Sequence, residues 1–283
     1  MIAPDLIRTM RKRGILILAT VMAVAVCATA VFAPVIAPDD PTAVVLENKF
    51  APPSAEHPLG CDHLGRDVLS RLVYGTRTSI SSVAAIMGIV LLLGFTVGTL
   101  SGYAGGTVDS TLMRFCDVFL TFPTFILAMF LIGVLGTGMV NVIIAVALTH
   151  WAWYARIIRS MVLSLKSREY VLAAKVAGTG RLRTIARHIL PPVFAQLLIL
   201  CTLDIGHMML HVSGLSFLGL GVTPPMPEWG VMISDARQFI WTHPILIMLP
   251  GGMIFVTVMA FNLLGDALRD SFDPALAVQE EAR

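Results

Sequence analysis

Long runs of apolar residues with few charged side chains constrain this chain more than any other feature. The first run, residues 15–36, carries no charge, and as a helix it would extend roughly 33 Å, enough to cross a bilayer core. Such runs lie at 15–36, 79–101, 112–135, 139–158, 193–217 and 244–264. Only 13% of the residues are charged, about half the proportion found in soluble domains. The sequence therefore predicts an all-α polytopic membrane protein with about six transmembrane helices.

The distribution of Lys and Arg predicts the orientation of these helices. With the N-terminus inside, 15 of the 20 Lys and Arg residues fall in or beside cytoplasmic segments, as the positive-inside rule expects. We therefore expect a multi-pass protein of the cytoplasmic (inner) membrane with both termini cytoplasmic. The chain then divides into residues 1–78, with a first transmembrane helix and an external loop, and residues 79–283, the main transmembrane domain.

The basic segment 166–191 is the main exception to the apolar pattern. It holds six of the 20 Lys and Arg residues and is predicted to be cytoplasmic. We expect one short helix on each side of Gly178 and Gly180, with the Pro191–Pro192 pair ending the second. The apolar face of the second helix is Leu182, Ile185, Ala186 and Ile189. Two interpretations stay open, a loop that only sets orientation and a surface that binds a partner.

The polar segment 37–78 contains candidate metal ligands. His57, Asp62 and His63 supply imidazole and carboxylate groups, but the neighbouring Gly and Pro residues predict a tight turn equally well. A short amphipathic helix is expected over residues 64–74. The residue types alone leave the metal site and the turn as alternatives.

One cluster of polar side chains lies deep in the fifth apolar run. At 100° per residue its members fall within about 100° of arc and form a stripe about 10 Å tall. The members are Asp204, His207, Met208 and His211. Imidazole and carboxylate suit divalent transition metals, including nickel, whereas a thioether favours softer ions. We predict that the stripe lines a translocation pathway, and the alternative is an Asp–His pair that holds helices together.

Sequence motifs of catalysis and nucleotide binding are absent. The stretch GTGRLRT (178–184) lacks the spacing of a phosphate-binding loop, and no nucleophile elbow, HExxH or CxxC pattern occurs. A net charge of +2 and the lack of a basic tail argue against nucleic-acid binding. The chain is therefore predicted not to be an enzyme, and any ATPase that drives it must be another chain.

Several motifs resemble those of permease subunits of binding-protein-dependent ABC importers. Within segment 166–191, the Ala173–Ala174 pair is followed four residues later by Gly178 and then by Leu190–Pro191, as in the cytoplasmic loop motif of that family. The position just before the alanines, where glutamate is common, holds Leu172, and Glu169 lies one turn earlier, as in the dipeptide/oligopeptide/nickel branch. HPLGCDHLGRDVLSRLVYGTR (57–77) and LSFLGLGV (215–222) indicate the same branch. HWAWYAR (150–156), LDIGHMMLHVSGLSFLGLGV (203–222) and EWGVMI (228–233) look most like nickel permeases.

This resemblance implies a type I ABC importer permease that moves nickel ion or a nickel chelate. It also implies a heterodimer with a second permease, two cytoplasmic ATP-binding subunits that bind the ATP, and an external nickel- or peptide-binding protein. No permanently bound cofactor is expected. The residues implied in coupling to the ATPase are Glu169, Ala173, Ala174, Gly178, Arg181, Ile185, Leu190 and Pro191. The alternatives are a di-/oligopeptide permease of the same branch and, from another class, a membrane scaffold or enzyme that needs no ATPase.

Overall fold

A computed structural model gives the architecture and describes residues 3–272, with side chains from 14 to 270. In that range the chain is helical, apart from loops and an isolated antiparallel bridge between Cys61 and Asp67. The helices are α1 (Ala3–Ile36), α2 (Val68–Ala104), α3 (Gly106–Leu120), α4 (Thr124–Leu135), α5 (Met139–Lys166), α6 (Glu169–Val176), α7 (Arg181–Thr184), α8 (Leu190–Phe217), α9 (Trp229–Ala236) and α10 (Ile245–Phe272). Five are long and apolar enough to cross a membrane, and α3 with α4 would make a sixth. The predicted fold class is confirmed, while the predicted cytoplasmic ends at residues 1–2 and 273–283 lie outside the described residues.

The second predicted span is longer than its apolar run. The helix expected over residues 64–74 begins only at Val68 and continues without a break to Ala104, so the prediction of a separate short helix is wrong. The hydroxyl groups of the polar part are accommodated within the helix, since Thr76 Oγ1 donates to the Leu72 carbonyl and Ser82 Oγ to the Thr78 carbonyl. A hydroxyl that bonds four residues back is satisfied inside the helix and does not interrupt it.

The third predicted span is broken where a kink was expected. Helices α3 and α4 meet at an angle of 84° across the break that contains Pro123. Pro123 has a ψ of 124°, which is outside the helical range, and it has no N–H to continue the hydrogen-bond ladder. Thr121 closes α3 by bonding the Asp117 carbonyl with both its N–H and its hydroxyl.

By packing, the described chain forms two compact units. One holds the residues up to Val83, residues 137–139 and the residues from Cys201 onward, and the other holds 84–136 and 140–200. The unit boundaries fall inside α2 and α8 and on either side of residues 137–139. The division predicted between residues 78 and 79 stays a prediction, because packing follows these other boundaries.

The unit of residues 84–136 and 140–200 is held together by close contact between α2 and α5. Gly94, Gly98 and Gly102 lie four residues apart on one face of α2. A Cβ at these positions would lie 2.7 Å from Tyr154 Cβ, 2.5 Å from the Ala155 oxygen and 2.9 Å from the Arg159 oxygen, respectively. Small residues at this spacing allow membrane helices to approach closely.

The other unit is organised around a buried carboxylate beside α9. Helix α10 packs against both α1 and α9. Glu228 is fully buried and caps α9 by accepting a hydrogen bond from the Val231 N–H at 3.1 Å. It also accepts from Ser79 Oγ at 3.0 Å and from Ser213 Oγ at 3.2 Å. The capped carboxylate thus joins α2, α8 and α9, as a buried charge requires several donors to be stable.

Candidate functional site

The carboxylate and imidazole predicted in the fifth span are neighbours on α8. Asp204 Oδ1 lies 3.6 Å from His207 Nδ1, one turn along the helix. Asp204 is buried, whereas 76% of the His207 side chain is exposed. Asp204 is the only charged residue within α8. The pair therefore presents an imidazole at the surface with a carboxylate behind it, an arrangement that suits contact with a cation.

The other two members of the predicted stripe differ in exposure. Met208 is fully buried, and His211 is half-buried. In this conformation the thioether therefore does not share the surface of His207. Within the described part of the chain, Asp204, His207 and His211 do not bring three ligand atoms within 4.8 Å of one another. The roles of all four residues remain predictions.

Segment 166–191 folds as two short helices separated by a turn, as the glycines predicted. Gly178 has a φ of +82°, a conformation that favours glycine. The helix α6 before the turn exposes 90% of Val176, and α7 after it exposes 83% of Leu182. Of the face predicted for the second helix, Ile189 is buried, while Leu182 and Ala186 are exposed. The segment therefore leaves large apolar side chains without cover from the described chain.

The prediction that Pro191–Pro192 ends the second helix is wrong. Residues Ile185–Ile189 form a π-helical turn that leads directly into α8, so the helical path runs from Arg181 to Phe217. Pro192 has no N–H to bond the His188 carbonyl four residues earlier. The Tyr170 hydroxyl donates to that carbonyl at 3.2 Å. The π-helical turn and the Tyr170 hydroxyl together accommodate the prolines within a continuous helical path. The hydrogen bond from Tyr170 also connects α6 to the start of α8.

Segment 37–67, the start of α2 and α9 share a network of buried charges. Asp62 Oδ2 lies 2.7 Å from Arg66 Nε and 3.5 Å from Arg71 Nε. Asp235 Oδ2 in α9 lies 3.2 Å from Arg66 Nη2 and 3.7 Å from Arg71 Nη2. Arg71 Nη1 also donates to the carbonyls of Pro41 and Pro225. Two buried guanidinium groups are thus matched by two carboxylates, which is the condition for burying charge at moderate cost.

The three residues considered for a metal site, His57, Asp62 and His63, have different partners in the structure. Asp62 pairs with arginines, and His63 lies against the Phe239 ring, with ring centroids 5.4 Å apart. His57 instead contacts Asp67 at 3.1 Å and Asp39 at 3.5 Å. The two aspartates were missed because they lie 18 and 10 residues from His57 in sequence. A usable signal was the nearby Arg66, a cation that can pair with Asp62 in place of a metal ion.

Two groups in this segment have shifted pKa values. Burial raises the pKa of the Cys61 thiol, and the negative charge of Asp67 adds to the effect. Burial lowers the pKa of His63, more than the opposing charge of Asp62 raises it. At neutral pH we therefore expect a protonated thiol and a neutral imidazole.

Comparison with known proteins identifies the family. The family model described as "Binding-protein-dependent transport system inner membrane component" matches residues 94–278. The chain is 57% identical over 242 residues to a nickel transport system permease protein of Escherichia coli (strain K12), covering 86% of this chain and 87% of that one. It is 40% identical over 251 residues to a metal-staphylopine import system permease protein of Staphylococcus aureus (strain NCTC 8325 / PS 47), covering 89% and 87%. It is 37% identical over 270 residues to a dipeptide transport system permease protein of Alkalihalophilus pseudofirmus, covering 95% and 88%. The chain therefore belongs to the family of inner membrane components of binding-protein-dependent transport systems.

Proposed function

We propose that the chain is the permease subunit of an ATP-driven importer that carries nickel, as the ion or a chelate, across the cytoplasmic membrane. The sequence identity of 57% with a nickel permease supports this cargo. The structural observation that carries the proposal is the contact between buried Asp204 and exposed His207 in the apolar helix α8. The subunit itself is not catalytic, and ATP is hydrolysed by partner chains.

The position of His207 favours a pathway over a lipid-facing role. An imidazole or its charged form is unfavourable against hydrocarbon, so polar residues in membrane helices usually face a cavity or another helix. We infer that His207 faces the translocation path or the second permease subunit, with Asp204 and His211 contributing to the same stripe. Met208 would join them only in a conformation that uncovers it.

Nickel uptake by the assembled importer in proteoliposomes tests the cargo. His207→Ala should reduce the initial uptake rate at least tenfold, because the imidazole is the exposed ligand, and His211→Ala should reduce it less. Leu210→Ala is the matched control, since Leu210 is an exposed apolar residue on the same helix and should leave uptake near the wild-type rate. Wild-type uptake by both histidine variants would end the pathway assignment.

A second candidate, transport of peptides, is favoured by the identity of 37% with a dipeptide permease. In that case the Asp204–His207 contact would only hold α8 in place. The same vesicles separate the two cargoes, because dipeptides in excess would compete with uptake of a labelled dipeptide and nickel would not be taken up. Nickel uptake that excess dipeptide leaves unchanged would exclude this candidate.

We further propose a heterodimer with a second permease, two cytoplasmic ATP-binding subunits and an external binding protein. Both termini and segment 166–191 would be cytoplasmic, as the positions of 15 of the 20 Lys and Arg residues support. Segment 166–191 would then dock on an ATPase. Its proposed contact residues are Glu169, Ala173, Ala174, Gly178, Arg181, Ile185, Leu190 and Pro191.

The exposed apolar side chains of this segment support the docking proposal. Val176 and Leu182 are 90% and 83% exposed on either side of the turn at Gly178, and a patch of such side chains would be typical of a partner-binding surface. Leu182→Asp should therefore abolish stimulation of ATP hydrolysis by the transport complex, since it places a charge in the contact. Leu182→Met keeps the apolar character and should retain stimulation. Normal stimulation in the aspartate variant would count against docking through α7.

A further inference from the structure

Three side chains from distant parts of segment 37–67 converge at one point. Asp39 lies three residues after α1, His57 lies in the loop, and Asp67 directly precedes α2. His57 Nδ1 is 3.1 Å from Asp67 Oδ1 and 3.5 Å from Asp39 Oδ2. One ligand atom from each lies within 4.8 Å of the other two, and no further group of three such residues occurs in the part of the chain described.

Charged side chains do not fully balance the two carboxylates of this cluster. Among the described residues, both aspartates form their ion-pair contacts with His57 alone, while the nearby Arg66 is committed to Asp62 and Asp235. A neutral imidazole leaves two negative charges, and an imidazolium still leaves one. Only 1% of the Asp67 side chain is exposed, so its charge is poorly screened by water. A divalent cation would neutralise both carboxylates.

The surrounding hydrogen bonds hold each ligand in place. The Ser70 N–H donates to Asp67 Oδ2 at 2.6 Å, which leaves Oδ1 directed at His57. The Asp39 N–H donates to Ser70 Oγ at 2.9 Å. On the far side of the imidazole, Nε2 lies 3.4 Å from the Asn48 side-chain amide. Metal-binding histidines and carboxylates usually have such outer partners, which fix their orientation.

The distances also suit metal coordination. With ligand bonds of about 2.0–2.2 Å, adjacent ligand atoms around one ion lie roughly 3.0–3.4 Å apart, close to the two contacts made by His57 Nδ1. Coordination through Nδ1 requires the ring proton on Nε2. Rotation of the Asn48 amide by half a turn would place its oxygen where it accepts that proton, with no change in shape.

We propose that Asp39, His57 and Asp67 form a binding site for one divalent transition-metal ion. His57 Nδ1 and one oxygen of each carboxylate are the ligands, and the remaining coordination positions stay open to water or to a further ligand. Mixed nitrogen and oxygen donors suit ions of the nickel and zinc type. The site lies outside α8 and does not depend on which cargo the permease carries, so it goes beyond the function proposed above.

Binding of Ni²⁺ alone to the purified importer complex, without its external binding protein, tests this site. The complex is stripped with a chelator and titrated by calorimetry, in a His207→Ala/His211→Ala background that removes the α8 histidines. We expect this complex to bind one Ni²⁺ more per copy of this chain than the same complex carrying Asp39→Asn. In the Asp39→Asn complex, the affinity of the site for Ni²⁺ should be at least tenfold lower. His57→Gln should remove the same ion.

The neighbouring carboxylate provides a matched control. The Asp40 side chain is exposed and bonds to Thr42, so Asp40→Asn removes the same charge without removing a ligand and should keep wild-type binding. Asp39 is 46% exposed, so its substitution should not unfold the segment. Unchanged Ni²⁺ binding in Asp39→Asn, or an equal loss in both variants, would overturn the proposal. If the permease carried peptides rather than nickel, the metal-site proposal would still hold. Failure of the proposed cargo and failure of the proposed site are therefore distinguishable.

Discussion

Two segments that connect long helices, 37–67 and 166–191, differ in what they bury and what they expose. The first, together with Arg71 of α2 and Asp235 of α9, buries charge, since Arg66 and Arg71 are almost completely enclosed and paired with Asp62 and Asp235. The second exposes apolar surface, with Val176 and Leu182 largely in solvent. Paired buried charges are stable without another chain, whereas exposed apolar groups gain stability only when a partner covers them. The arginine–aspartate network of the first segment therefore needs no partner chain, whereas the exposed apolar side chains of the second favour an interface.

Glycine shows the same difference at the level of the backbone. Gly65 and Gly178 both have positive φ, +73° and +82°. A Cβ at Gly65 would lie 1.8 Å from the Val45 carbonyl oxygen, while a Cβ at Gly178 would meet no atom within 4 Å. The first glycine is needed because another part of the chain packs against it. The second is needed only for its backbone conformation.

The largest expected effect comes from breaking the buried charge network. Arg66→Met leaves Asp62 and Asp235 short of a partner in a buried site and should lower the free energy of unfolding by about 3–5 kcal/mol. Denaturant midpoints of the purified complex measure this change. Arg183→Met, at an exposed position of segment 166–191, is the control and should stay within about 0.5 kcal/mol. Similar values for the two variants would contradict the comparison.

Substitutions of Gly65 and Gly178 are expected to give the next largest change in the free energy of unfolding. Gly65→Ala combines an unfavourable φ with a backbone clash and should lower the free energy of unfolding by about 2–4 kcal/mol. Gly178→Ala adds only the conformational term, about 1–2 kcal/mol. The same midpoint measurements test both variants. A larger loss at Gly178 than at Gly65 would show that the turn of segment 166–191 is packed after all.

Sequence patterns located the helices well because a long uncharged run has few alternatives in a membrane. Their ends were less predictable. The extension of α2 toward Val68 depends on hydroxyl groups that bond back to carbonyls, and polar residues in a sequence look the same whether they do so or leave the helix. The passage through Pro191–Pro192 depends on Tyr170, whose position follows from the turn at Gly178.

The two candidate sites also differ in how far the sequence could predict them. The contact of Asp204 and His207 follows from helical periodicity, so the sequence could predict it. The cluster of Asp39, His57 and Asp67 could not be predicted, because it requires the loop to bring separate stretches together. Local spacing instead drew attention to Asp62, which is adjacent to His63 but pairs with arginine.

A smaller effect is expected from the link between α6 and the start of α8. Tyr170→Phe removes the hydroxyl that bonds the His188 carbonyl and should weaken the π-helical turn by about 0.5–1.5 kcal/mol. Hydrogen–deuterium exchange of residues 181–190 should become correspondingly faster. Tyr103→Phe is the control, because Lys166 Nζ bonds the Tyr103 backbone oxygen rather than its hydroxyl. Unchanged exchange in Tyr170→Phe would mean that the prolines are accommodated by the wider turn alone.

The smallest expected effect is a pH dependence that belongs to segment 37–67. Burial lowers the pKa of His63 below its ordinary value of 6.5, so the unfolded chain takes up the proton first as the pH falls. Stability should therefore be constant above about pH 6.5, decrease below it, and level off once the pH has passed the folded-state pKa. His63→Gln should flatten this part of the profile of unfolding midpoint against pH. A profile that keeps its slope in the glutamine variant would assign the pH dependence to other groups, whereas a flattened profile would assign it to the buried imidazole of His63.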